Sequence, residues 1–198
     1  DEDLVEVSDT EYEVTLREGA TFSDDTEVTS EDVVESYKRA TAEGNLYASM
    51  LDFIDDITAK DEKTVTVTLS KPFSLVKERL TLIKVIPASM TQEELTAMPV
   101  GTGPWKYDTI TEEKITFSPN EHYNGDYPAE SSSMVVDIIK DDTARTTALQ
   151  EGSVLVMEAV PADARAQLEA SGATVESIQG FNLPFLMFNT QKAPFDDN

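Results

Sequence analysis

Across residues 12–44 the hydrophobic period changes from about two to about 3.6 residues, confining this stretch to a strand, a turn-rich loop and a capped helix. Tyr12, Val14 and Leu16 alternate with Glu13, Thr15 and Arg17, the pattern of a half-buried strand. Gly19 breaks the run, and Ser23, Asp24, Asp25 and Thr26 supply turn chemistry. Thr29 followed by Asp32 fits a capping box, in which hydroxyl and carboxylate each satisfy an otherwise orphan amide. Val33, Val34, Tyr37 and Ala40 then share one helical face, and Gly44 is placed to end the helix in the left-handed conformation.

Composition excludes more than it selects. The 198 residues are 39% apolar, enough to bury a core and unlike a disordered chain. A formal net charge of -24 opposes nucleic acid or an anionic membrane as partner, because phosphate binding needs clustered Lys and Arg. Most of this acid is read as a solvated surface. A calcium site is the sharper alternative, but residues 24–29 lack the alternating ligands and central glycine of a calcium loop. With no cysteine, disulfides, zinc-thiolate sites and thiol nucleophiles are excluded. No apolar run approaches the roughly 18 residues of a membrane span, and no signal peptide opens the chain. Both ends look cut, as expected of an excised piece.

The middle reads as small alternating elements. Residues 57–59 and 64–69 form an expected hairpin around Asp61, Glu62 and Lys63. Residues 73–82 suggest a short helix and 84–87 an extended segment. Thr91 and Glu94 make a second capping box, opening a helix that Pro99 terminates. Gly101, Thr102, Gly103, Pro104 and Trp105 do not make a phosphate-cradling loop, since Pro104 removes a donor and no glycine-rich helix start follows. Two glycines instead permit a tight turn, with Trp105 anchoring the next strand by packing. Residues 105–107 and 114–118 are expected to pair across a turn at 111–113. His122 is the sole histidine, so a metal site would need partners that nothing nearby suggests, and a surface or supporting role is expected. No G-x-S-x-G elbow accompanies it.

In the last third, strands at 134–139, 154–157, 173–178 and 183–189 alternate with helices at 142–150 and 162–170. Asp141 or Asp142 caps the first, and Pro161 opens the second. Such alternation implies crossover connections and mainly parallel pairing.

Several stretches resemble one family. L-R-E-G-A-T-F at residues 16–22 with the D-V helix at 32–33, P-V-G-T-G-P-W at 99–105, N-E-H-Y-N-G at 120–125, the I-x-D-x-x-x-R-x-x-A-L-x-x-G-like run at 139–152, and F-N-x-x-K-x-P-F at 188–195 are similar to motifs of the extracellular solute-binding proteins of dipeptide, oligopeptide and nickel ABC transporters (family 5, periplasmic binding protein type II). Asn124 stands where tryptophan is commonest, and Ser153 and Leu155 where acidic residues are usual.

The resemblance implies a mixed α/β (α+β) lobe. An antiparallel hairpin and helix subdomain over residues 1–108 would precede part of an open, mainly parallel α/β core over 109–198, with the second lobe absent from the chain. It implies a non-enzymatic receptor, most readily for peptides, that holds solute in an inter-lobe cleft. Permease subunits would be its partners, and its place extracytoplasmic: periplasmic, or at the cell surface through a lipid anchor outside this chain. No cofactor or metal is implied. The candidate ligand-binding residues are Phe22, Ser23, Asp24 and Asp25 in one loop and Gly101, Thr102, Gly103 and Trp105 in one turn, irregular segments on a rigid scaffold. A calcium-dependent or cell-surface interaction module is the alternative. A carboxylate hydrolase ranks below it, because 39 acidic residues make any chosen pair uninformative.

Overall fold

The computed structural model describes residues 4–180 and 182–195, and these fall into two compact units, Asp1–Ile138 and Ile139–Asn198. In the first unit, strands β1 (Leu4–Ser8), β2 (Glu11–Thr15), β3 (Ile54–Ala59) and β4 (Thr64–Leu69) form one antiparallel sheet in the order β1-β2-β4-β3. The register pairs Val14 with Val65 and Tyr12 with Val67. In β4 the alternation is complete: Val65, Val67 and Leu69 are buried while the three threonines face a wetter side. β1 was not anticipated, because its exposed valines, Val5 and Val7, lack a core-facing pattern. It adds to β2 as an edge.

Helix α1 (Ser30–Thr41) covers the dry face of this sheet. Val33, Val34, Tyr37 and Ala40, the expected stripe, pack against a cluster of Leu51, Phe53, Ile54, Ile57, Val65, Val67, Leu69 and Val76. Phe53 stacks on Phe73 with ring centroids 4.2 Å apart. The Tyr37 hydroxyl donates to the Ile54 carbonyl (3.2 Å), and burial, with Asp56 and Asp55 nearby, pushes its titration up. At the helix start the Asp32 carboxylate accepts from both the amide (2.8 Å) and the hydroxyl (2.9 Å) of Thr29. The helix ends at an extended Ala42 (ψ 147°) and not at the expected Gly44, which takes φ 86° two residues farther on.

The remaining helices of this unit are short: α2 (Val76–Leu80) and α3 (Gln92–Ala97). In α3 the Thr91 hydroxyl accepts from the Glu94 amide (3.2 Å) and the Glu94 carboxylate accepts from the Thr91 amide (2.8 Å). A second antiparallel sheet, β5-β6-β7, follows from β5 (Trp105–Ile110), β6 (Lys114–Pro119) and β7 (Met134–Asp137). The expected boundary at 108/109 falls inside β5. The chain changes sheets at the 101–105 turn, and the compact units divide after Ile138.

The second unit contains α4 (Asp142–Gln150) and α5 (Arg165–Ala170). Asp141 caps α4 by accepting from the Ala144 amide (2.8 Å), and Gly152 has φ 75°. Mixed α/β architecture is present, but the expected parallel pairing is not. Among the described residues every ladder is antiparallel and no strand lies beyond Asp137. Segments 154–157, 173–178 and 183–189 carry no regular secondary structure and are largely exposed, Leu155 by 90% and Met187 by 86%. An apolar run sets strand propensity, but a strand also needs a neighbour to accept its backbone bonds.

Ile57→Ala is expected to cost about 2–5 kcal/mol in urea unfolding, against less than about 0.5 kcal/mol for the exposed Val5→Ala. Bonds from Thr91 hold the Glu94 carboxylate below its usual range. Its contribution to stability is therefore present above the ordinary value of 4.5 and lost as pH falls through the lower folded-state value. Glu94→Gln should flatten the loss of thermal stability on acidification below that point.

Candidate functional site

Three loops distant in sequence meet in the first unit. Residues 20–28 fold back on themselves: the Phe22 amide donates to the Thr26 carbonyl (2.8 Å), the Val28 amide to the Ala20 carbonyl (2.9 Å), and Thr21 bridges Glu27. At the tip, the Asp24 carboxylate accepts from the Thr26 amide (3.1 Å) and hydroxyl (2.6 Å). Asp25 takes φ 74°, a conformation that Asp tolerates better than most side chains. Phe22 is 1% exposed, so its ring anchors the loop by packing. That corrects its place among the candidate contact residues: an apolar ring on an otherwise polar loop is buried by the hydrophobic effect.

The tip is fixed from outside by the second loop, where the Ser23 amide donates to the Gly101 carbonyl (2.9 Å). The third loop, residues 120–125, ties to both. Buried Asn120 donates from its side-chain amide to the Gly103 carbonyl (2.8 Å) and from its backbone to the Pro104 carbonyl (2.9 Å). Its side-chain oxygen accepts from the His122 amide (3.1 Å). Arg17 Nη1 donates to the Asn124 carbonyl (2.8 Å), and Asn124 Nδ2 returns a bond to the Glu18 carbonyl (3.1 Å). His122 Nε2 lies 2.5 Å from Asp25 Oδ1. Asn120, Asn124 and Arg17 all lie within the quoted motifs, yet hydrogen bonding between loops leaves no periodic signal by which their roles could be read.

Beside this junction is a recess of about 480 Å³. Ser23, Gly101, Thr102, Gly103 and Trp105 contribute to it, with Tyr107 and residues 83–86 as the opposite lining. Five of the expected residues are thus brought together, whereas Phe22, Asp24 and Asp25 are not part of the lining. The 84–88 segment is held by α1: Asp32 Oδ1 accepts from the Ala88 amide (2.8 Å), and the Ser36 hydroxyl accepts from the Ile86 amide (3.0 Å). Both side chains are buried, polar groups on a helix face that periodicity would assign to solvent. Trp105 is half-buried along the recess and is not a core anchor. Neither Gly101 nor Gly103 has a positive φ, and a Cβ on either would meet nothing within 4 Å. Their missing side chains leave open space and relieve no strain. Among the described residues no group of three or more His, Asp or Glu could hold a metal ion, and no helix is long and apolar enough to cross a membrane.

The family described as bacterial extracellular solute-binding proteins, family 5 (middle), matches residues 2–198. The chain belongs to this family. Protein XP55 of Streptomyces lividans is 33% identical over 149 residues, covering 71% of this chain and 27% of that protein. The protein named "Probable D,D-dipeptide-binding periplasmic protein DdpA" of Escherichia coli K12 is 28% identical over 200 residues, covering 94% of this chain and 38% of its own length. This family 5 chain therefore spans between about a quarter and two-fifths of the curated relatives it matches. Among solved structures, MoaA of A. tumefaciens R10 in complex with mannopinic acid superposes with a TM-score of 0.83. The match covers 99% of this chain and 42% of that one at 23% identity, a likeness of fold alone.

Asn120→Ala should lower unfolding stability by about 1–3 kcal/mol, since the Gly103 carbonyl and His122 amide lose buried partners together. Phe22→Ala should cost about 3–5 kcal/mol and half-buried Trp105→Ala distinctly less, as read from denaturant midpoints.

Proposed function

We propose that the intact protein is the solute-binding component of an ABC importer that holds a peptide or similar small solute between two lobes without chemical turnover. The observation that carries this reading is the family match across residues 2–198. It is supported by a relative whose name specifies dipeptide binding. Membership alone does not select the solute, because a family-like fold also accompanies mannopinic acid in the matched structure. Peptide is the reading taken from the dipeptide-binding relative at 28% identity, beside which a heme-binding protein of Haemophilus influenzae stands at 27%.

In this reading the chain supplies one wall of the cleft. The recess of about 480 Å³ lies within the range of small-molecule sites, roughly 300–1,000 Å³. Its lining pairs an aromatic face, Trp105, with the small or polar residues Ser23, Gly101, Thr102 and Gly103. Asp24 and Asp25 shape the loop beside it. The exposed apolar residues Leu183, Phe185, Leu186 and Met187 are then surfaces that the rest of the protein covers. The protein works outside the cytoplasm, with permease subunits as partners.

Calorimetry with a peptide library is expected to give binding to the intact protein without product formation, and feeble binding or none to residues 1–198 alone. Trp105→Ala in the intact protein should weaken binding by about tenfold or more, about 1.4 kcal/mol. Product formation would overturn the receptor reading, and tight binding by the isolated chain would overturn the two-wall argument.

A further inference from the structure

The two sheets of the first unit pack little against each other strand to strand and are joined chiefly through the loops described above. The hydrogen bonds of that junction are nearly all between groups that do not titrate near neutrality: Ser23 to Gly101, Asn120 to Gly103 and Pro104, Arg17 to Asn124, and Asn124 to Glu18. One link differs. His122 Nε2 meets Asp25 Oδ1 at 2.5 Å, joining the tip of the 20–28 loop to the 120–125 loop. The chain has no other histidine.

We propose that His122 and Asp25 form a proton-controlled latch across this junction, closed as an ion pair when the imidazole is protonated and reduced to a single hydrogen bond when it is neutral. Two features position the partners. The His122 backbone is held by Asn120 Oδ1 (3.1 Å), and Asp25 projects from a tip whose backbone is set by the Asp24 turn and the Ser23–Gly101 bond. The other charged groups carried by these segments are Arg17, Glu18, Asp24, Glu27, Lys84, Lys106, Glu121 and Asp126. Of these, Arg17 is bonded to Asn124 and Asp24 to Thr26. Only Asp25 is paired with His122 among the described residues.

Histidine is the side chain whose ordinary titration, around pH 6.5, crosses the range an extracytoplasmic protein meets. The sign follows from the partner's charge. Coulomb attraction to the Asp25 carboxylate adds to the hydrogen bond only while the imidazole carries its proton, so protonation tightens the latch and its loss slackens it. His122 is partly and Asp25 largely exposed, so the effect is local and modest, of the size an exposed ion pair supplies. What it governs is how firmly the Ser23 tip stays docked on the Gly101 turn at the mouth of the recess.

The Ser23 amide is the natural reporter, since its bond to Gly101 breaks when the junction opens. Amide hydrogen exchange followed by NMR in the intact protein, corrected for intrinsic rates, should show about two- to five-fold greater protection at about pH 5.5 than at about pH 7.5. In Asp25→Asn and in His122→Gln most of that difference should disappear. Asn tolerates the positive φ at position 25, so Asp25→Asn removes charge while keeping the backbone. As an arm without substitution, about 1 M salt should flatten the wild-type difference by screening. Equal protection at the two pH values in the wild type, an undiminished pH dependence in Asp25→Asn, or full insensitivity to salt would each overturn the latch.

Discussion

Burial of one face of β4 is the constraint from which the rest of the first unit follows. Val65, Val67 and Leu69 need a dry cover, and α1 supplies it with Val33, Val34, Tyr37 and Ala40. Docking that face fixes the rotation of the helix about its axis. Rotation in turn decides where Asp32 and Ser36 point, and both are drawn into burial, where polar groups must find partners. They find them in the amides of Ala88 and Ile86. A hydrophobic requirement on a strand is thereby transmitted, through a helix, to an irregular segment that walls the recess.

The junction between the two sheets uses a different physics. It is built from amides, carbonyls and a buried asparagine, each contributing a modest net amount that becomes expensive only when a partner is removed. Asn120 is central because it binds the 101–105 turn with both backbone and side chain while also setting the His122 backbone. Asn124 takes part in a reciprocal clasp with Arg17 and Glu18. Membership in family 5 rests on a match over residues 2–198.

The second unit shows what patterning cannot do alone. The start of α4 and the stops of both helices follow local chemistry, with Asp141 capping α4 and Gly152 and Gly172 at positive φ, whereas α5 begins at Arg165 behind an uncapped Ala164 and not at the expected opening beside Pro161. Its apolar runs at 154–157 and 183–189 have strand composition but are exposed and make no ladder among the described residues. A parallel sheet is stable when both its faces are covered and every strand has a neighbour, and neither condition is met within this unit. Helix caps are satisfied by residues a few positions away. Strands depend on segments that lie far along the chain.

The same distinction separates what sequence by itself determined about this protein from what tertiary structure decided. Period, caps and turn residues, all readable over a few positions, determined α1 and its buried stripe, the β3–β4 hairpin, the capping box at Thr91 and the antiparallel pairing of β5 with β6. The family motifs carried membership. Only the folded chain placed Ser23 against Gly101, buried Phe22, left Trp105 at the edge of the recess, and brought His122 to Asp25. Those outcomes turn on contacts between residues remote in sequence, whose free energies depend on mutual position, and no local pattern encodes that position.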